Sequence, residues 1–319
     1  MLAANLNVPE HEANNPQSRR FYGHRPVRKA QDEISDMSFE FFPPSSDKAE
    51  TRLWSTIDQL KALKPKMVSV TYGADGSTRD NTYSTVKRLL DETDLTVAPH
   101  LTCVGTSKGE LRELAQQYWQ DGVRHIVALR GDAPKSTEGL PPKGDRYTYC
   151  SEFVEDLRKV ADFDISVAAY PETHPEALSP AKDLENLRRK FDAGATRAIT
   201  QFFFANEHFL RFRDHCALFG IEGEIVPGIL PVENFTQVQR FAKDCGTEIP
   251  KWLIARFAGL ENDPATRKLL AASAAIEQVN DLKQHGVSQF HMYTLNRADI
   301  TYAVGHALGV GPKTTSETV

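Results

Sequence analysis

The run Ser38-Phe39-Glu40-Phe41-Phe42-Pro43-Pro44 places one carboxylate inside an aromatic, strand-like stretch that two prolines terminate. A glutamate is costly to bury as an anion among apolar side chains. Burial raises a carboxyl pKa, and a carboxyl raised in this way can serve as a general acid near neutral pH. The competing reading is a Glu40 that faces solvent or a salt bridge, because strand residues alternate faces. Alternation sets Phe39 and Phe41 on one face and Ser38, Glu40 and Phe42 on the other. If the first pair meets a helix layer, Glu40 points into whatever the sheet encloses. A second acid, Asp132, follows Arg130-Gly131. It suits a helix N-cap or turn, or a carboxylate set beside a centre where charge develops.

These residues must be carried by regular elements. Strand-like runs fall at 38–42, 67–70, 95–101, 125–129, 165–169, 198–203, 223–227 and 288–291. Amphipathic helical stretches separate them, at 48–63, 83–90, 108–120, 151–160, 180–193, 207–219 and 234–244. One longer helical stretch, 252–285, precedes the last strand, and another helix follows it. Eight strands alternating with helices predict a (β/α)8 TIM barrel of the α/β class, in a single domain. A doubly wound open sheet would be favoured by a glycine-rich first turn, and GxGxxG does not occur. In a barrel, Thr71-Tyr72, His100, Arg130-Gly131-Asp132, Tyr170, Gln201 and Tyr293 to Arg297 all fall near the C-terminal ends of strands, where active sites are built.

Composition narrows the function classes. A net charge of −5 argues against a general nucleic-acid surface. The four cysteines form no CxxC, so neither a zinc site nor a disulfide framework is expected, and a reducing cytoplasm suits them. The histidines show no metal-ligand spacing, so no metal is expected. No apolar run reaches the ~18 residues of a membrane span, and the first residues do not pattern as a secretory signal. Residues 1–36 read as a flexible polar extension, 37–311 as the barrel and 312–319 as a short flexible tail.

The segments SFEFFPP, SVTYGA, APHLTC, RHIVALRGD, ISVAAYPETHPEA, DAGATRAITQFFF, PGILPV and YTLNRA stand in this order along the chain. In that respect it resembles the bacterial methylenetetrahydrofolate reductases, over residues 38–310. The resemblance implies FAD on a (β/α)8 barrel. It also implies a hydride taken from NADH (or NADPH) and passed to 5,10-methylenetetrahydrofolate, giving 5-methyltetrahydrofolate for methionine synthesis. Glu40 then matches the acid that protonates the folate so that its imidazolidine ring opens. Asp132 matches a carboxylate beside the flavin that favours hydride departure and stabilises the cationic iminium. Residues matching the FAD site are Thr71, Tyr72, Ala74, His100, Arg130, Gly131, Asp132, Tyr149, Tyr170, His174 and Ala177, with Asp183, Asn186, Arg189 and Lys190 on one helix. Spacing alone makes those last four an ordinary solvated face. Residues matching the folate site are Glu40, Asp132, Gln201, Gln237, Phe241 and Arg297. Gln201 suits the amide-like edge of the pterin, Phe241 stacking on the aminobenzoate ring, and Arg297 the glutamate carboxylates. Without the resemblance, Phe241 reads as core and Gln237 as surface.

The chain departs from the bacterial pattern in a longer segment at 134–146 and in its extended N-terminus. A C-terminal regulatory region of the eukaryotic kind is not expected, nor is feedback by S-adenosylmethionine. The family also implies a homo-oligomer. No separate dinucleotide domain is visible, so nicotinamide and folate are expected to take turns at one site, with ping-pong kinetics. Two other readings compete. One is a Schiff-base aldolase, for which Lys66 is the lysine nearest a strand but at its N-terminal end. The other is a non-catalytic flavin- or pterin-binding barrel.

Overall fold

A strand with one wet face alternates buried and exposed residues, but β1 (Asp36–Phe41) buries Met37, Ser38, Phe39 and Phe41 and half-buries Glu40. Both faces are covered, as in a parallel sheet wrapped by helices. The computed structural model describes residues 36–72, 79–132 and 140–311. The expected extension, apart from Asp36, and the expected tail lie outside them, as does Ala74.

The other strands are β2 (Met67–Val70), β3 (Val97–Thr102), β4 (His125–Leu129), β5 (Asp164–Ala169), β6 (Arg197–Thr200), β7 (Glu224–Val226), β8 (Gly228–Ile229) and β9 (Gln289–Tyr293). Every pairing is parallel, in the order β7-β6-β5-β4-β3-β2-β1-β9-β8. β7 pairs with β6 and β8 with β9, and only Pro227 separates the two. Proline has no N–H for the ladder, so one strand position is split there. The Pro227 carbonyl still accepts from His291 N–H at 3.0 Å. The expected eight-position barrel therefore forms, with its seventh position broken.

The helices are α1 (Asp47–Leu60), α2 (Arg79–Glu92), α3 (Lys108–Gln120), α4 (Cys150–Val160), α5 (Pro180–Asp192), α6 (Asn206–Leu218), α7 (Phe235–Cys245), α8 (Lys251–Phe257), α9 (Pro264–Gln284) and α10 (Asp299–Ala307). The stretch 252–285 is thus two helices rather than one. Gly259 takes a left-handed φ of 77° after α8. Asp263 then caps α9 by accepting from Thr266 N–H, and Pro264 holds its first position. β6 stops at Thr200 rather than at Phe203, because Phe202 N–H turns to the Gln201 side chain. β9 runs two residues beyond its expected end, which brings Tyr293 into register with Glu40.

The N-terminal rim is closed by first-of-strand polar residues. Arg197 Nε donates to Glu224 Oε2 at 2.7 Å, and Gln289 Nε2 to Glu224 Oε1 at 2.8 Å. His125 Nε2 lies 2.8 Å from Ser166 Oγ, and His125 Nδ1 3.4 Å from Asp164 Oδ2. Above this ring, Met67, Ala98, Val127 and Ile199 form a small apolar layer inside the barrel. That plug leaves the C-terminal mouth for chemistry.

Burial lowers the His125 imidazole from 6.5 to about 4, against the pull of Asp164. Between those values the unfolded chain binds more protons than the folded one, so stability falls as pH falls from about 6.5 to about 4. Urea midpoints across pH 7 to 4 should drop in that window, and His125→Gln should shallow the slope. An unchanged slope in His125→Gln would show that the buried imidazole does not carry it.

Candidate active site

Residues just at or beyond the strand C-termini surround a cavity of about 600 Å³, whose lining includes Glu40, Thr71, Tyr72, His100, Gln201, Phe241, Cys245, His291 and Tyr293. Glu40 is fixed there by its main chain. Its carbonyl accepts from Thr294 Oγ1 at 2.6 Å. Beyond the end of β1, Asn296 stands in for a strand partner: its Oδ1 accepts from Phe42 N–H and its Nδ2 donates to Phe42 O, both at 2.9 Å. Leu295 and Asn296 adopt left-handed φ values of 49° and 54° to aim that amide.

The Glu40 carboxylate is 12% exposed. Its Oε2 lies 3.5 Å from His100 Nε2 and 3.7 Å from His291 Nε2. Both nitrogens are buried without a hydrogen-bond partner, so they stand just outside bonding range of the acid. His291 is oriented from behind by Ser38, with Nδ1 and Oγ 2.8 Å apart. Burial lowers His100 to about 4 despite the attraction of Glu40, and His291 adds to the lowering. His100 is therefore a neutral imidazole near pH 7, not a counter-ion. Tyr293 donates to Thr200 O at 2.7 Å, and burial holds its phenol far above 10. Its ring crosses Gly228 so closely that a Cβ there would sit 2.5 Å from Tyr293 Cε2. Only glycine fits.

Gln201 Oε1 accepts from Phe202 N–H at 3.0 Å, and its Nε2 donates to Cys245 Sγ at 3.2 Å. Phe241, half-buried on α7, supplies an aromatic wall.

A groove of about 590 Å³ adjoins this cavity and shares Tyr72, Leu129, Ala168 and Tyr170 with it. Arg130, Gly131, Asp132, Tyr149, His174, Ala177, Asp183, Asn186, Arg189 and Lys190 line it. Ser179 caps α5 by accepting from Lys182 N–H, and Pro180 holds the first turn, so one face of that helix meets the groove. Asp183 Oδ2 accepts from His174 N–H at 2.8 Å, and the Tyr170 and His174 rings meet edge-on at 4.5 Å. Lys190 Nζ donates to Ala168 O at 2.8 Å. Arg189 lies over the Tyr149 ring, 5.4 Å from its centre, and Arg130 pairs with Glu176. Asp132 is solvent-exposed, yet its charge contributes to raising both the Tyr170 phenol and the Cys245 thiol. It lines the groove and not the cavity.

Most of the residues singled out from the sequence converge on these two spaces. Thr71 and His100 line the cavity rather than the groove. Gln237 and Arg297 line neither. Gln237 lies in the first turn of α7, and Arg297 Nη1 pairs with Glu233 Oε2 at 2.8 Å, where the chain leads into α7. Ser38, His291 and Cys245 were not singled out as site residues, and Tyr293 was placed only at the rim. Ser38 shares a strand face with Glu40, which is a readable signal. Cys245 and His291 arrive only through tertiary packing. Among the described residues no helix is long and apolar enough to cross a membrane, and no cluster of three His, Cys, Asp or Glu side chains is arranged to hold a metal.

The family profile described as methylenetetrahydrofolate reductase matches residues 27–309. The 5,10-methylenetetrahydrofolate reductase of Pectobacterium carotovorum subsp. carotovorum is 56% identical over 277 residues, covering 87% of this chain and 91% of that protein. The Escherichia coli K12 protein of the same name is 54% identical over 277 residues, with 87% and 92% covered. A methylenetetrahydrofolate reductase (NADH) of Arabidopsis thaliana is 32% identical over 270 residues, 81% of this chain and 46% of that one. Among solved structures, an uncharacterized protein from Clostridium thermocellum that binds two copies of 5-methyl-5,6,7,8-tetrahydrofolic acid superposes with a TM-score of 0.60 at 16% identity. That match covers 87% of this chain and 96% of the other, and at such identity it shows the shared fold alone. This chain belongs to the methylenetetrahydrofolate reductase family.

Proposed function

We propose that the cavity and the groove form one site in which 5,10-methylenetetrahydrofolate is reduced to 5-methyltetrahydrofolate, with FAD along the groove and NADH as hydride donor. As a member of its family the chain is an oxidoreductase of folate one-carbon metabolism. The observation that carries the finer reading is the continuity of the two spaces through Ala168 and Tyr170, with an acid at the floor of one and cations along the other.

The groove suits a dinucleotide. Arg130, Lys182 and Arg189 are surface-exposed and tied to Glu176 and Glu185 only by solvent-accessible ion pairs. Such pairs contribute little, on the order of 0–1 kcal/mol, so the cations can turn to a diphosphate at small cost. Tyr149, Tyr170 and His174 offer rings, and Asp183 and Asn186 offer hydroxyl partners. When bound, FAD supplies two-electron chemistry, accepting a hydride from the reduced nicotinamide and donating it to the folate.

The protein's own groups do the rest. Glu40 is the acid positioned to deliver a proton to a folate nitrogen as its ring opens. His291, steadied by Ser38, and the neutral His100 flank the carboxylate and keep it aimed into the cavity. Phe241 and Gln201 orient the substrate. Asp132 places a negative charge where the iminium cation develops. NADH is favoured over NADPH by the plant relative whose name specifies it. The reading extends to a cytoplasmic homo-oligomer. Four free cysteines fit a reducing compartment, and exposed Leu218, Trp252, Ile254 and Leu269 give association an apolar surface to cover. Nothing supports the aldolase, because Lys66 is bonded to Gln289 at the opposite end of the barrel. A purified protein that is yellow, and that NADH bleaches without oxygen, would support the flavin reading. A colourless protein that takes up no FAD would end it.

Glu40→Gln should retain FAD and its reduction by NADH while folate reduction falls by about 10²–10⁴-fold, the usual worth of a positioned general acid. Stopped-flow traces of the two half-reactions check this, and equal slowing of both would make Glu40 structural.

Asp132→Asn removes a charge beside the groove and should raise the flavin midpoint potential by about 20 mV, equivalent to roughly 1 kcal/mol of lost repulsion. A redox titration showing no shift, or a lower potential, would place Asp132 away from the flavin.

One mouth serves both substrates, so double-reciprocal plots at varied NADH and several fixed folate concentrations should be parallel. Each substrate in excess should compete with the other. Intersecting lines would require separate sites.

A further inference from the structure

Cys245 is the last residue of α7, lines the same cavity as Phe241, and is the one partly exposed cysteine, Cys103, Cys150 and Cys216 being buried. Its sulfur accepts from Gln201 Nε2 at 3.2 Å, while Gln201 Oε1 accepts from Phe202 N–H at 3.0 Å. The final torsion of a glutamine is broad and roughly two-fold, so a free carboxamide samples many orientations. Here both ends are anchored. The thiol is itself placed by backbone. Gly246 ends α7 with a left-handed φ of 70°, and the next residue, Thr247, donates from Oγ1 to Phe202 O at 3.1 Å. The end of α7 is therefore pinned to the 201–202 segment with or without the sulfur.

We propose that Cys245 is a positioning residue for the folate: it locks the Gln201 carboxamide so that the remaining lone pair of Oε1 meets the N–H edge of the pterin in one fixed orientation. This rests on the reading of Gln201 as a pterin contact. Burial pushes the thiol up to about 11, with Asp244 and Asp132 adding to the effect, so the sulfur acts as a neutral acceptor rather than as a thiolate.

The test is a double-mutant cycle on the holoenzyme, reading KM for 5,10-methylenetetrahydrofolate and kcat separately. Gln201→Met should raise KM about tenfold, and Cys245→Ala about fivefold, the range of one hydrogen bond. In both, kcat should fall by less than KM rises. Cys245→Ser keeps an acceptor and should return KM to within about twofold of the parent enzyme. Adding Cys245→Ala to Gln201→Met should change KM no further, because the group it positions is gone. If Gln201→Met raises KM while Cys245→Ala does not, or if the two effects simply add, Cys245 does not act through Gln201. If Gln201→Met leaves KM unchanged, the pterin contact itself is wrong, and the proposal falls with it. A Cys245→Ser enzyme as impaired as Cys245→Ala would mean that packing of the sulfur, and not its acceptor role, matters.

Discussion

The mouth of the barrel is organised around one carboxylate held largely out of water without a cationic partner. Among the described residues Glu40 pairs with no arginine or lysine. The basic nitrogens within 4 Å of its carboxylate are the Nε2 atoms of His100 and His291. A guanidinium would fasten both oxygens in a fork and take up one acceptor site on each. Two imidazole nitrogens stand just beyond hydrogen-bond distance of the acid and leave its oxygens available. This arrangement requires β1 to be immovable. That is met by burying Phe39 and Phe41 completely, by pairing β1 with both β2 and β9, by the Thr294 bond to the Glu40 carbonyl, and by the Asn296 bonds that continue the ladder past Phe41.

The barrel keeps two polar layers apart. At the N-terminal rim, Arg197, Glu224, Asp164 and Gln289 satisfy one another, and His125 is bonded to Ser166. At the C-terminal mouth, Ser69 Oγ and the Nε2 atoms of His100 and His291 are left without partners. Buried polar groups in a stable structure are normally satisfied. The first set is closed among protein groups, whereas the second leaves bonding capacity open at the mouth. An apolar layer from Met67, Ala98, Val127 and Ile199 separates the two.

The alternation of strands and helices was legible because parallel strands buried on both faces are short β-branched and aromatic runs, and the helices between them are amphipathic. What local pattern did not show was where a ladder ends. Pro227 splits a strand position that reads as continuous. Gln201 steals Phe202 N–H and shortens β6. The cap at Asp263 divides a stretch that reads as one long helix. Glu40 was legible because a charge inside SFEFFPP breaks a local rule, and such violations concentrate at functional sites. The groove lining was legible only through family resemblance, since Asp183, Asn186, Arg189 and Lys190 have the spacing of any solvated helix. His291 and Cys245 were not legible as site residues. Their partners Ser38 and Gln201 lie 253 and 44 residues away, and no local pattern encodes a contact of that span.

The groove and the cavity also share a mechanical link. The loop at 170–179 walls the groove, whereas α7 walls the cavity. Glu172 Oε2 accepts from Glu248 N–H at 2.6 Å, and a Cβ on Gly246 would stand only 3.0 Å from Pro175 Cγ. The turn that ends α7 therefore rests directly on the groove loop. Glycine serves twice at that turn, by taking a left-handed φ and by leaving room for Pro175. A shift of the groove loop would press on the segment that sets Cys245 against Gln201 and carries Phe241. Close-packed contacts transmit such shifts rather than absorb them. The turn at Gly246 is thus one packed contact shared by the wall of the groove and the wall of the cavity.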